Sequence, residues 1–188
     1  MAPERRLHLD RRTLIRPDHR QGAVLLLLYP GPGDELHFVL TRRPEYNGHH
    51  SGQMSFPGGS REPGEPLSAA ALRETHEEIG VPPRTLTLLG ALSPMYIPPS
   101  NFMVYPFVAF APARPVFQPN HEVAEIVEAP LSILLEESIR RTEHRFIDRL
   151  GNSEIPYFDI YGHKVWGATA MILSEVAALL QPEKPEAR

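Results

Sequence analysis

Three glutamates, Glu74, Glu77 and Glu78, stand within five consecutive residues, directly after Arg73 and nine to thirteen residues after Glu65. On a helix of about 3.6 residues per turn their carboxylates share one side, about 100° wide. Glu74 and Glu78 are spaced i,i+4, and like charges so placed repel by a few tenths of a kcal/mol. A hard divalent cation reverses the sign of that repulsion. Mg²⁺ takes oxygen ligands and leaves positions for water and phosphate oxygens. A plain solvated acidic face has the same pattern, so the helix alone leaves both readings open. The segment upstream favours the metal: Phe56-Pro57-Gly58-Gly59 brings backbone close to a ligand with no Cβ in the way. Its peptide groups can offer a carbonyl to a cation or amides to a phosphate.

The acids need a helix, and residues 66–79 predict one, with Pro66 at the first helical position and Gly80 as the stop. Ala71, Leu72, Thr75 and Ile79, with Ser68, form a second face suited to lie on a sheet. Residues 22–29 and 36–42 predict a strand hairpin around Pro30-Gly31-Pro32-Gly33-Asp34, and residues 43–59 a loop. Further strands are expected near 85–92, 103–111, 122–128, 141–147 and 156–160, a short helix after Pro130, and a helix over about 165–180. Residues 1–20 are basic and mixed, with at most one short helix expected. Strands with two or three helices imply an α+β fold or an α/β/α sandwich. The length of 188 residues fits one domain, 1–188, with a core of about 20–180 and a flexible tail, 181–188.

Composition narrows the chemistry. The chain has no cysteine, which removes disulfides, thiolate metal sites and thiol nucleophiles. A net charge of −4 argues against general electrostatic binding to nucleic acid. The first twenty residues lack the apolar centre of a signal peptide, and the aliphatic run 23–29 is far too short to span a bilayer. A cytoplasmic protein acting on a small molecule, with no nucleic-acid or membrane partner, is therefore expected; the oligomeric state stays open. The 21 prolines cluster in connections and predict stiff loops.

Gly59, Glu65, Arg73-Glu74, Glu77-Glu78, Gly80 and Val81 hold the spacing of the Nudix box across 23 positions, and the chain resembles the Nudix hydrolases on these residues. One position departs: Thr75 stands where an aliphatic residue is usual. A second resemblance lies upstream. Leu40-Thr41-Arg42-Arg43, Gly52 and Phe56-Pro57-Gly58-Gly59 are similar to the motif that precedes the box in coenzyme A pyrophosphatases of that family. Pro44 replaces a small residue there, and Gly48 replaces an arginine. Glu122-Val123-Ala124-Glu125 and Val165-Trp166-Gly167-Ala168-Thr169-Ala170 also look like that subfamily.

The resemblance implies a Nudix-type α/β/α sandwich with a mixed central sheet and a loop-helix-loop catalytic motif. It implies Mg²⁺- or Mn²⁺-dependent attack of water on a P–O–P linkage, giving 3′,5′-ADP and 4′-phosphopantetheine from coenzyme A. Glu74 and Glu78 are then the principal metal ligands, with Glu77 a third. Arg73 orients carboxylates, Glu77 or Glu65 among them; Glu65 either does the same or approaches a second metal, and a carbonyl of Gly58 or Gly59 completes the coordination. Glu77 and Glu122 are both candidates for the base. Arg42 and Arg43 are candidates for phosphate contact, one of the two because strand neighbours point to opposite faces. His49-His50 suit a polar loop, His76 a structural or solvated place, and Tyr96, Phe102 and Tyr105 the core or a pocket. Two alternatives stand beside coenzyme A: a Nudix pyrophosphatase acting on ADP-ribose or another nucleoside diphosphate derivative, and a non-catalytic nucleotide-binding regulator.

Overall fold

The computed structural model describes residues 15–45, 52–147 and 151–181; His49-His50 and Gly48 lie outside them, as does the tail beyond residue 181. The apolar run predicted as a strand forms β1 (Arg20–Pro30). It pairs antiparallel with β2 (Leu36–Arg42), as the hairpin reading expects. β1 also runs parallel to a distant strand, Phe102–Phe110, over nine register pairs. That parallel pairing puts β1 at the centre of the sheet, where strands with both faces covered read as continuous aliphatic runs.

Alternation along β1 divides the core. Leu25, Leu27 and Tyr29 join Val39, Ala70, Ala71 and Ile79 on one face. Leu26 joins Phe38, Leu40, Ile172, Leu173 and Val176 on the other. The first face carries α1 (Leu67–Ile79) and the second carries α2 (Gly167–Leu179). Between them lies an eight-stranded mixed sheet. Besides β1, β2 and the parallel strand it contains β3 (Met54–Ser55), β4 (Gly58–Ser60), β5 (Thr87–Ala91), β6 (Met95–Ile97) and β8 (Glu125–Pro130), with Phe102–Phe110 as β7. A separate three-stranded antiparallel sheet, β9 (Arg140–Ile147), β10 (Gly151–Ile160) and β11 (His163–Trp166), contributes Phe158, Ile160 and Val165 to the α2 side. A mixed sheet between two helices is the sandwich that the resemblance implies.

Several expected boundaries move. Residues 43–59 are not only loop: β3 pairs with β2, and β4 pairs with β1. Runs of two and three residues carry no alternation of their own; their partners define them. The last helix starts at Gly167, two residues later than expected, because Val165 and Trp166 pair with Phe158 and Tyr157. Pro66 is the cap rather than the first helical residue: its ψ of 141° is extended while its carbonyl accepts the Ala70 N–H. Gly80 ends the helix in the left-handed conformation at φ 75°. The buried face of α1 is Ala70, Ala71, Thr75, Glu78 and Ile79, whereas Ser68 and Leu72 are only partly covered. The alanines let the helix lie close to β1. Thr75 is buried there with its hydroxyl satisfied, donating to the Ala71 carbonyl at 2.7 Å.

Candidate active site

The helix face, the glycine turn and the connector after β7 meet at the C-terminal half of α1. The three helix acids have different surroundings. Glu78 is buried, with 6% of its surface exposed, and accepts the Gly58 N–H at 3.1 Å. Burial pushes its carboxyl up to about 7, with Glu74 and Glu122 adding to the rise and Gly58 and Arg43 opposing it. Glu74 is also raised by burial, against the pull of Arg73. Glu77 lies over half exposed. The wheel places all three on one side of the helix, yet only the sheet and the glycine turn decide which of them loses its water.

Arg73 gathers the rest. It grips Glu65 with Nε and Nη2 at 3.0 and 3.1 Å, while Nη1 reaches Glu74 and Glu77 at 3.0 and 3.1 Å. Nη2 also donates to the Ser60 carbonyl at 3.0 Å. The guanidinium holds the Glu65 carboxyl below the usual carboxylate range, helped by the Glu62 N–H. Ser60 carries no chemical signal in the sequence; its part is a backbone carbonyl.

Gly58 and Gly59 serve different purposes. Gly58 has φ 148°, and a Cβ there would lie 2.3 Å from the Ala23 carbonyl, so the β4–β1 pairing requires glycine. A Cβ on Gly59 would lie 2.5 Å from the Glu74 carboxylate. The space beside Glu74 thus exists because Gly59 has no side chain.

Arg42 and Arg43 diverge. Arg42 donates to Glu125 at 2.7 Å, and His163 stands 3.3 Å from the same carboxylate. Arg43, whose N–H bonds the Gln53 carbonyl, exerts its charge on Glu78. Glu122 is reached through the connector between β7 and β8. The Gln118 and Asn120 N–H groups donate to the Ile79 and Glu78 carbonyls, both at 2.9 Å, capping the last turn of α1. Charge on Glu122 is felt at both Glu74 and Glu78. His76 is exposed on the helix. The three aromatics do not share a pocket: Phe102 packs on the α2 side, Tyr105 on the α1 side, and the Tyr96 hydroxyl bonds Asn101.

Whether such a site fits a divalent cation turns on its donors. Among the described residues no three acids converge into a ready-made cage, and Arg73 Nη1 bonds both Glu74 and Glu77. The donors are nonetheless hard oxygens, two of them on desolvated carboxylates whose charge lacks full compensation, beside a glycine that keeps the space open. A small dication suits that set.

A family model for the NUDIX domain matches residues 19–150. The chain is 36% identical over 183 residues to an uncharacterized Nudix hydrolase, NudL, of Enterobacter sp. (strain 638), covering 90% of this chain and 91% of that protein. It is 35% identical over 172 residues to the NudL protein of Photorhabdus laumondii, covering 89% and 88%. Among solved structures, the Nudix hydrolase RenU from M. Smegmatis superposes with a TM-score of 0.59 at 21% identity, over 88% of this chain and 90% of that one. A C. elegans Ap4A hydrolase binary complex gives 0.51 at 24% identity, over 59% and 80%. At those identities the two structures speak to the fold.

Proposed function

Because the chain belongs to the NUDIX domain family and is a Nudix pyrophosphohydrolase, we propose that its substrate is coenzyme A or a derivative, cleaved at the diphosphate to 3′,5′-ADP and 4′-phosphopantetheine. The supporting observation is the junction between the upstream motif and the helix acids. Thr41 on β2 pairs with Ser55 on β3, its hydroxyl 3.3 Å from the Ser55 carbonyl. That pairing leads straight into Phe56-Pro57-Gly58-Gly59 and sets Arg43 where its charge acts on Glu78. The arginine of the motif thereby exerts its charge on one of the acids a diphosphate must approach.

Glu74 and Glu78 would hold Mg²⁺ or Mn²⁺, with Glu77 as a third ligand and a carbonyl of Gly58 or Gly59 as a further oxygen. When bound, the cation supplies a lowered water pKa and neutralises charge developing on phosphoryl oxygens. Arg73 keeps Glu74 and Glu77 in register through Glu65 and Ser60. Arg43 receives a phosphate oxygen, while Arg42 stays tied to Glu125. Glu122 accepts the proton from the attacking water; Glu77, exposed on α1, is the other candidate. The proposed domain is the whole chain, 1–188.

Product analysis after incubation with coenzyme A and Mn²⁺ or Mg²⁺, with an EDTA control, tests the substrate. The two named products are expected, and only with metal. Comparable turnover of ADP-ribose with none of coenzyme A would replace the substrate. Hydrolysis that survives Glu78→Gln with unchanged metal dependence would displace the site.

A further inference from the structure

Taking Glu122 as the base, as above, we propose that Asn120 is the positioning residue that ties the Glu122 backbone to the end of α1 and so sets the place from which its carboxylate acts. Glu122 is held only weakly by its own side chain. That side chain is 54% exposed, and its ion pair with His121 is loose at 4.0 Å, His121 itself being 89% exposed. The close hydrogen bond it does make is at its backbone N–H.

Asn120 supplies that backbone restraint in two directions. Its main-chain N–H donates to the Glu78 carbonyl at 2.9 Å. Its side-chain Oδ1 accepts the Glu122 N–H at 2.8 Å. One residue thus joins the residue that would hold metal to the residue that would take the proton. The flanks are fixed as well. Gln118 bonds Ile79, and Ala124 bonds the Arg42 carbonyl at 2.9 Å. The left-handed Gly80 leaves room for this crossing, since a Cβ there would lie 2.8 Å from Gln118 Cβ.

The two bonds can be separated. Capping the helix uses the Asn120 main chain and survives any substitution other than proline. The bond to Glu122 uses the side chain alone. Asn120→Ala thus removes the tie to Glu122 and leaves the cap, and Asn120→Ser returns a short oxygen acceptor.

The experiment compares wild type, Asn120→Ala, Asn120→Ser, Glu122→Gln and the Asn120→Ala/Glu122→Gln double variant as full chains. Turnover of coenzyme A with Mn²⁺, Mn²⁺ affinity without substrate, and amide exchange at Glu122 are measured. Asn120→Ala should lower kcat about ten- to a hundredfold, the cost of a misplaced reacting group. KM and Mn²⁺ affinity should stay within about twofold, and the Glu122 amide should exchange at least about tenfold faster. Asn120→Ser should recover most of kcat. In the Glu122→Gln background Asn120→Ala should add nothing, since residues acting as one unit are non-additive. Wild-type turnover by Glu122→Gln would sink the base assignment itself. An impaired Glu122→Gln beside a normal or fully additive Asn120→Ala would overturn the role of Asn120 alone. An unchanged Glu122 amide would do so without reference to any substrate.

Discussion

Glu78→Gln should make the metal-free protein more stable at alkaline pH while abolishing its activity. Glu78 is buried and its carboxyl lies at about 7, against a starting value of 4.5. The sign follows from that direction: a carboxyl raised on folding contributes stability that is complete below pH 4.5 and is lost as pH rises through about 7. A shift of about two and a half units corresponds to about 3 kcal/mol at pH 8. Glutamine has no charge to desolvate, and its Oε1 can still accept the Gly58 N–H. In urea unfolding with EDTA the variant should match wild type near pH 4.5 and exceed it by about 2–3 kcal/mol at pH 8. For a chain of this size that is about 5–10 °C in Tm. Mn²⁺ at a hundred times Kd should return about 2.7 kcal/mol to wild type and far less to the variant. A variant that keeps the wild-type pH dependence, or gains equally from Mn²⁺, would refute the idea that Glu78 is a desolvated carboxylate awaiting a cation.

The two glycines should separate cleanly. Gly59→Ala should weaken Mn²⁺ binding by about tenfold with little loss of stability, because its Cβ meets the movable Glu74 carboxylate; calorimetry reads both. Gly58→Ala should instead lower the unfolding free energy by about 2–4 kcal/mol, because its Cβ meets the β1 backbone and its φ suits glycine. Arg73→Lys should cut kcat/KM by about a hundredfold, since a lysine cannot grip Glu65 with two donors while reaching Glu74, Glu77 and Ser60; steady-state kinetics would show wild-type turnover if one positive charge sufficed. Arg114→Ala should destabilise by about 1–3 kcal/mol in chemical denaturation, leaving the Glu128 carboxylate, among the described residues, with the buried Tyr29 hydroxyl as its remaining hydrogen-bond donor. Burial alone would raise Glu128, but Arg114 and Tyr29 hold it low, so the wild-type advantage should shrink as pH falls toward its folded value.

Short-range periodicity is enough for the elements that one segment specifies alone. β1 and β2 read directly from their apolar runs, and α1 from its spacing and its Pro66 and Gly80 ends. The order Gly59, Glu65, Arg73, Glu74, Glu77, Glu78 carries the resemblance to the Nudix box, and with it the family. Tertiary structure alone decided how those residues differ. A helical wheel treats Glu77 and Glu78 as neighbours on one face, but the sheet and the glycine turn bury one and leave the other in water. Strand alternation says that Arg42 and Arg43 part company; only the arrival of β8 and β11 shows that Glu125, with His163 on its other oxygen, takes Arg42. β3 and β4 are too short to carry a pattern, and Val165-Trp166 look helical until β10 pairs with them. Asn120 gives only a turn signal beside Pro119, and its partner Glu78 lies forty-two residues away. Periodicity fixes which way a side chain points along its own segment, whereas desolvation and hydrogen bonding depend on what distant segments bring against it.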